Sequence, residues 1–578
     1  MIYKKLFLMS FILSLTLLSS FLRANNAKFL PITVEGLIQD DIRVSSFMGA
    51  KNNSLRALLT IINRAKRDAS VKGIVLKIKS PRLGLAKLQE LREALKAFKN
   101  QGKTIYAFSE TFSKTDYLLA SVANRLYVSP QGGVDLSGIA LELVFLKNTF
   151  NMLGVSPNFH QMGNYKSASE IYTRSRASKY QKESINFLLD GLFDEFVSII
   201  AEGRKISKGR VLKLVDRGFF SAAEAKKAKL IDGFLYEDKF EEIVQKNGGV
   251  LASYQNNKRS GRARKPSSME LLMMLYKKPP KKSNAPKIAI IYMEGTIISG
   301  KSKRSLFGGS NAIGSDDFTA ILRQVRKDPK VKAVVIRINS PGGSALASDI
   351  LWREVRLLSQ AKPVIASLSD VAASGGYYIA MACPTIIANS TTITGSIGVV
   401  GGKFNLKGLY NKVGLNKEIF KRGKYADLFT DYRNFTPEEN KLIAKQMLET
   451  YKTFVRKAAQ GRKMTIKKMN VHAQGKIYTG TQALKVGLVD QLGGIDFAIR
   501  LARKKVRDFN NKLEIVTYPE QKSFMELLSS NLFMKQQLER EIESMQIFAK
   551  PLIIYLKYIQ RIFSKERVAT LMPFYIHY

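Results

Sequence analysis

Hydrophobic and polar positions along this chain follow two alternating periods. Ile74–Ile78 is a β-branched run that predicts a strand. Leu85–Phe98 spaces its apolar residues as an amphipathic helix does, and Thr104–Phe108 predicts the next strand. From about Lys28 onward the pattern is strand followed by helix, which is α/β layering. The pattern then recurs. VKGIVLKIKSP (Val71–Pro81) returns as VKAVVIRINSP (Val331–Pro341), with Ser80 and Ser340 lying 260 positions apart. YLLASVA (Tyr117–Ala123) matches YYIAMAC (Tyr377–Cys383) at the same offset, and Gly163 and Tyr165 recur as Gly423 and Tyr425. Glu35-Gly36 pairs with Glu294-Gly295 at nearly that offset, and Ala225–Gly233 echoes Ala483–Gly494. Such self-similarity predicts two copies of one α/β unit, residues 28–247 and 287–518, joined by the Lys/Arg/Ser/Pro-rich segment 248–286.

The two ends follow other patterns. Lys4 and Lys5 precede an apolar run, Leu6–Leu22, which Arg23 closes. That run is long for a cleaved signal and short for a span, and residues 1–27 read best as an uncleaved anchor, with a cleaved signal next. The basic flank then stays in the cytoplasm and the body is exported. Residues 519–578 carry apolar residues at helical spacing among many charges, as in the basic stretch Ile547–Phe563, and predict a helical extension that packs on the body or lies on a membrane surface.

Composition narrows the chemistry. A chain of 578 residues exceeds one ordinary core. Its single cysteine, Cys383, excludes a disulfide framework, and three histidines (His160, His472, His577) leave little for a metal site. The net charge of +46 favours anionic surroundings, but no zinc finger, helix-turn-helix or RNP-like motif is present. The basic residues are scattered, as on a solvated lysine-rich surface, and no nucleic-acid partner is expected.

Candidate chemistry emerges where the copies differ. In the second, DVAASGGYYIA (Asp370–Ala380) places Ser374 between a strand, Pro363–Ala366, and an apolar segment that predicts a helix. Alone, this is also what a helix-capping serine with a glycine turn looks like. At the 260-residue offset Lys114 stands opposite Ser374, and SPRLG (Ser80–Gly84) opposite SPGGS (Ser340–Ser344). The reverse holds for GNYKSASE (Gly163–Glu170), where Lys166 faces Ala426. Each copy keeps what the other lacks, which implies one composite site. A serine nucleophile needs a base. No histidine here has an evident relay, and a lysine made neutral by burial is the other documented base. Lys166, in a small-residue and weakly charged setting, fits. Amides after Ser374 and in the Gly342-Gly343 loop would complete an oxyanion hole, although Pro341-Gly342-Gly343 is also an ordinary turn sequence.

NSPGGSALAS, DVAASGGYYIA, TGSIGVVGG (Thr394–Gly402) and GNYKSASE, on a duplicated frame behind a hydrophobic segment, resemble the long, two-copy form of the signal peptide peptidase A (protease IV) family. The resemblance runs to at least Gly494 and implies tandem crotonase/Clp-protease-like domains. It implies Ser374 as nucleophile, Lys166 as general base, and oxyanion amides at Gly343 and Gly375, with Gly342 and Ser344 in substrate binding. It also implies no metal or cofactor, substrates that are signal-peptide remnants and other hydrophobic or unfolded peptides, and a membrane-bound homotetramer. The expected place is a bacterial inner membrane, with one N-terminal span and the catalytic body on the extracytoplasmic side. Two other classes share features with this reading: a non-proteolytic crotonase-like acyl-thioester enzyme, and an inactive membrane scaffold. Walls of a substrate groove are expected near Ser344–Leu346 and Ile397–Gly402.

Overall fold

The computed structural model describes residues 28–41, 54–247, 250–251, 283–302, 312–506, 513–520 and 569–571. The predicted strands and helix appear in it as Val71–Arg82, Leu85–Lys99 and Thr104–Ser109. The N-terminal apolar run lies outside the described residues, as do most of the 248–286 segment and most of the 519–578 extension. The only part of 521–578 described, Ala569–Leu571, is a strand. Among the described residues no helix is long and apolar enough to cross a membrane.

Each copy contributes a sheet with the same strand order. In the first the order is Gly233–Phe234, Arg125–Val128, Thr104–Ser109, Val71–Arg82, Lys28–Leu37, Val250–Leu251, all parallel. In the second, Gln491–Leu492, Thr385–Ala388, Val364–Ala373, Val331–Ser340, Lys287–Glu294 and Glu514–Tyr518 follow the same path, also parallel. The sequence repeat is thus a repeat of topology.

Central strands buried on both faces need apolar residues on both, which is why VKAVVIRINS reads as a nearly continuous run. Val334, Ile336 and Ile338 join the core built with the second copy's own helices, including Ala345–Ala361 and Pro437–Gly461. Ala333 and Val335 face the opposite way, into a core shared with the first copy. Arg337, on that same face by the two-residue period, is fully buried and reaches across. Its guanidinium bonds Asp40 at 2.8 Å and lies 2.7 Å from Glu90, both from the first copy, and it also bonds Ser367 and Ser369. Lys87 pairs with Asp370 at 3.0 Å beside it. A charge buried this deeply persists only when paired. The network therefore pins the first copy to the strand Val364–Ala373, which Ser374 follows directly.

A third sheet mixes the copies. Its order is Ala312–Gly314, Thr296–Ile298, Gly342–Ser344, Ala569–Leu571, Val399–Asn405, Ser156–Met162. The last two run antiparallel, with Met162 opposite Val399. This one pairing carries a first-copy strand onto the second copy, four residues before Lys166.

Candidate active site

The strand Val364–Ala373 is longer than the four residues read from sequence, and it runs directly into Ser374. There the backbone turns sharply, with φ 56° and ψ −114°, and the helix Gly375–Ala380 begins. A positive φ at a non-glycine residue costs on the order of 1–3 kcal/mol and persists only where the surroundings impose it. Here Ser374 N–H donates to Gly395 O at 2.8 Å and Tyr378 N–H to Ser374 O at 2.8 Å, fixing both sides of the residue. Ser374 makes no side-chain cap bond to the helix it precedes. Capping, the other reading of this stretch, therefore does not account for the hydroxyl. The matching helix of the first copy, Lys114–Ala120, has an ordinary capping box made by Ser113 and Asp116.

The hydroxyl meets Lys166 instead. Lys166 Nζ lies 2.7 Å from Ser374 Oγ, within one chain and across 208 residues of sequence. Both residues are 0 % exposed. The amine also lies 2.9 Å from Ser396 O and 3.0 Å from Ser396 Oγ. All three partners are neutral. Burial alone pushes the Lys166 amine well below its usual value of 10.5, because a low-dielectric site disfavours the ammonium.

Lys166 is gripped along its length. Gly475 (φ 81°) approaches so closely that a Cβ there would sit 2.4 Å from Lys166 N, and one at Gly398 would lie 3.0 Å from Lys166 Cδ. Ser396 itself has φ 53°, and its N–H donates to Lys476 O at 2.6 Å. Ser396 lies within the TGSIGVVGG motif, but sequence reasoning gave it no role. A serine two residues after Thr394, in a glycine-flanked turn, was the available signal.

The glycine loop stands alongside. Gly343, with φ 152°, faces Ile297 and Thr570 in neighbouring strands, and a Cβ there would lie 2.0 Å from Ile297 O. Only glycine fits. Gly342 has φ 105° and its N–H donates to Ser340 Oγ at 3.2 Å. Gly375 opens the helix after Ser374, so its amide has no partner within that helix. A Cβ at Gly376 would lie 2.7 Å from Ser340 O, which binds the two glycine elements together. Ser344 is the cap of the helix Ala345–Ala361, its Oγ accepting from Ala347 N–H at 3.1 Å. Among the described residues no group of His, Cys, Asp or Glu is arranged to hold a metal ion.

Peptidase family S49 matches residues 97–250 and again 356–507. The chain is 34% identical over 501 residues to the chloroplastic serine protease SPPA of Arabidopsis thaliana, covering 86% of this chain and 72% of that one. It is 31% identical over 462 residues to Protease 4 of Salmonella typhi, covering 78% and 72%. A solved structure of the membrane-bound stomatin-specific protease 1510-N aligns at 14% identity and a TM-score of 0.26, over 41% of this chain and 100% of that one.

Proposed function

Since the chain belongs to peptidase family S49 and is a serine peptidase, we propose that Ser374 is its nucleophile and Lys166 its general base. The observation that carries this is the 2.7 Å contact between a buried hydroxyl and a buried amine whose partners are all neutral. A neutral amine has two N–H donors and one lone pair. With the N–H groups on Ser396 O and Oγ, the lone pair is left for the Ser374 hydroxyl proton. Ser374 Oγ attacks the peptide carbonyl carbon as Lys166 takes its proton. The amides of Gly343 and Gly375 receive the oxyanion. The tetrahedral adduct collapses, the C–N bond breaks, and Lys166 returns the proton to the departing amine. A water then attacks the acyl-enzyme while Lys166 takes its proton, and the ester bond to Ser374 breaks as that proton returns to Oγ.

The substrates proposed are cleaved signal peptides and other hydrophobic or unfolded peptides, bound beside Gly342 and Ser344. The proposed units are 28–247, supplying the base, and 287–518, supplying the nucleophile, joined by 248–286. Leu6–Leu22 behind Lys4 and Lys5 supports an anchor in residues 1–27 and a body on the extracytoplasmic side of a bacterial inner membrane. The exposed Val413, Ile419 and Phe420 offer an apolar surface for a homo-oligomer, proposed as a tetramer. Ser374→Ala and Lys166→Ala, made separately and assayed on a hydrophobic peptide, are each expected to lower kcat/KM by about 10²–10⁴-fold or more. Near-normal turnover in either variant refutes the dyad.

A further inference from the structure

Lys166 comes from the first copy and Ser374 from the second, so their 2.7 Å contact depends on anchors that cross between copies. One such anchor is the second-copy turn Gln474–Ile477. Gln474 O accepts from Tyr165 N–H at 2.8 Å, and Gln474 Oε1 accepts from Asn164 N–H at 3.3 Å. A Cβ on Gly163 would lie 2.5 Å from the Gln474 carbonyl carbon. Gly163, Asn164 and Tyr165, the residues leading into Lys166, thus all rest on Gln474. Gly475 packs on Lys166 itself, and its N–H donates to Ile397 O at 2.7 Å. Lys476 O accepts from Ser396 N–H, and the Lys476 ammonium lies 4.8 Å from the centre of the Tyr165 ring. Ile477 pairs with Gly395, whose carbonyl accepts from Ser374 N–H. In chain order this turn touches the approach to the base, the base, the residue that holds the base, and the residue that fixes the nucleophile.

Gln474 is itself held in an uncommon shape. Its φ is 60°, a left-handed conformation that a non-glycine residue keeps only where its surroundings impose it. Its N–H donates to Tyr451 Oη at 3.2 Å, and its Nε2 donates to Asn470 Oδ1 at 3.0 Å. Tyr451 Oη donates to the same Asn470 Oδ1 at 2.8 Å, which closes the set. Tyr451 lies on the helix Pro437–Gly461 and Asn470 on the helix Ile466–His472. We propose that Gln474, held by Tyr451 and Asn470, is a positioning residue that sets where Lys166 stands relative to Ser374 and Ser396. The role of Lys166 as base rests on the dyad proposed above; the brace on residues 163–166 rests on hydrogen bonds and packing alone. Placement of this kind matters because a shift of about 1 Å can cost about 10²-fold in rate.

Two substitutions loosen the turn without touching the dyad. Tyr451→Phe deletes the hydroxyl that Gln474 and Asn470 share and keeps the ring. Gln474→Gly deletes both side-chain bonds and relieves the positive φ, so the turn still forms. In the full chain each is expected to lower kcat on a hydrophobic peptide by about 10-fold. KM should stay within about twofold, because Gly342 and Ser344, proposed to bind the peptide, lie outside the turn. Hydrogen–deuterium exchange of residues 163–167 in a Ser374→Ala background reads the brace without turnover, and either substitution should speed it about 10-fold. Near-normal turnover in Lys166→Ala would sink the base instead, and faster exchange would then still show that Gln474 braces this segment. If kcat stays within about twofold of the unaltered chain in both variants, the proposal is overturned. A fall in kcat with exchange at 163–167 unchanged overturns it as well, since the loss would then not come from the brace.

Discussion

Removing the Ser396 hydroxyl tests the dyad at its least anticipated member. Two variants isolate the hydroxyl. Ser396→Gly suits the φ of 53° without strain, whereas Ser396→Ala keeps a Cβ there. Either one deletes the 3.0 Å contact to Lys166 Nζ and leaves only Ser396 O, at 2.9 Å, to hold the amine away from Ser374. A buried donor left without its partner costs about 1–3 kcal/mol. Felt in the transition state, that is about a 5- to 150-fold loss of kcat/KM. The pH profile should move as well. A hydroxyl stabilises an ammonium more than a neutral amine, so its loss lowers the Lys166 pKa further and shifts the acid limb of kcat/KM to lower pH. The assay is kcat/KM on a hydrophobic fluorogenic peptide across pH, with both variants compared to the unaltered chain. If both keep kcat/KM within about twofold and the limb does not move, Ser396 has no part in holding the base, and the neutral-amine argument loses its geometric support.

With Lys166 as the proposed base, activity is expected above its depressed pKa and lost as pH falls through it. Folding follows a related sign. The unfolded chain binds a proton on this lysine up to about its ordinary value while the folded chain does not, so this residue's penalty to stability shrinks as pH rises. Lys166→Met should therefore abolish turnover yet leave the thermal midpoint at neutral pH equal or higher; a clear drop in the midpoint would contradict burial of a neutral amine. Asp40→Ala removes a carboxylate 2.7 Å from Arg337 and should destabilise the chain by about 3–5 kcal/mol, read as an earlier first unfolding transition; an unchanged transition would mean the network does not join the copies.

The α/β alternation, the duplication and the residue types of the proposed dyad are written locally in the sequence. Burial on both faces gives Val331–Ser340 a continuous apolar run, Ala333, Val334, Val335 and Ile336, and such a run looks the same before and after folding. The contrast between Lys114 and Ser374, and between Ala426 and Lys166, needed only the offset of the repeat. Of the stretches Ser344–Leu346 and Ile397–Gly402, Ser344 and Val400 pair with Ala569. What no local pattern encodes is distance. Lys166 and Ser374 meet because Ser156–Met162 pairs with Val399–Asn405, a register chosen by the packing of two whole copies. The depressed pKa of Lys166 follows from the burial that this pairing creates. Ser396 was invisible as a partner because its role comes from a turn that aims both its carbonyl and its hydroxyl at one amine. The expectation for 519–578 missed the strand at 569–571, since three residues with no periodicity of their own become a strand only where two open edges await them. Periodicity follows from side-chain partitioning and can be read along the chain. Proximity across hundreds of residues follows from satisfying backbone edges and buried charges in three dimensions, and only the folded structure decides it.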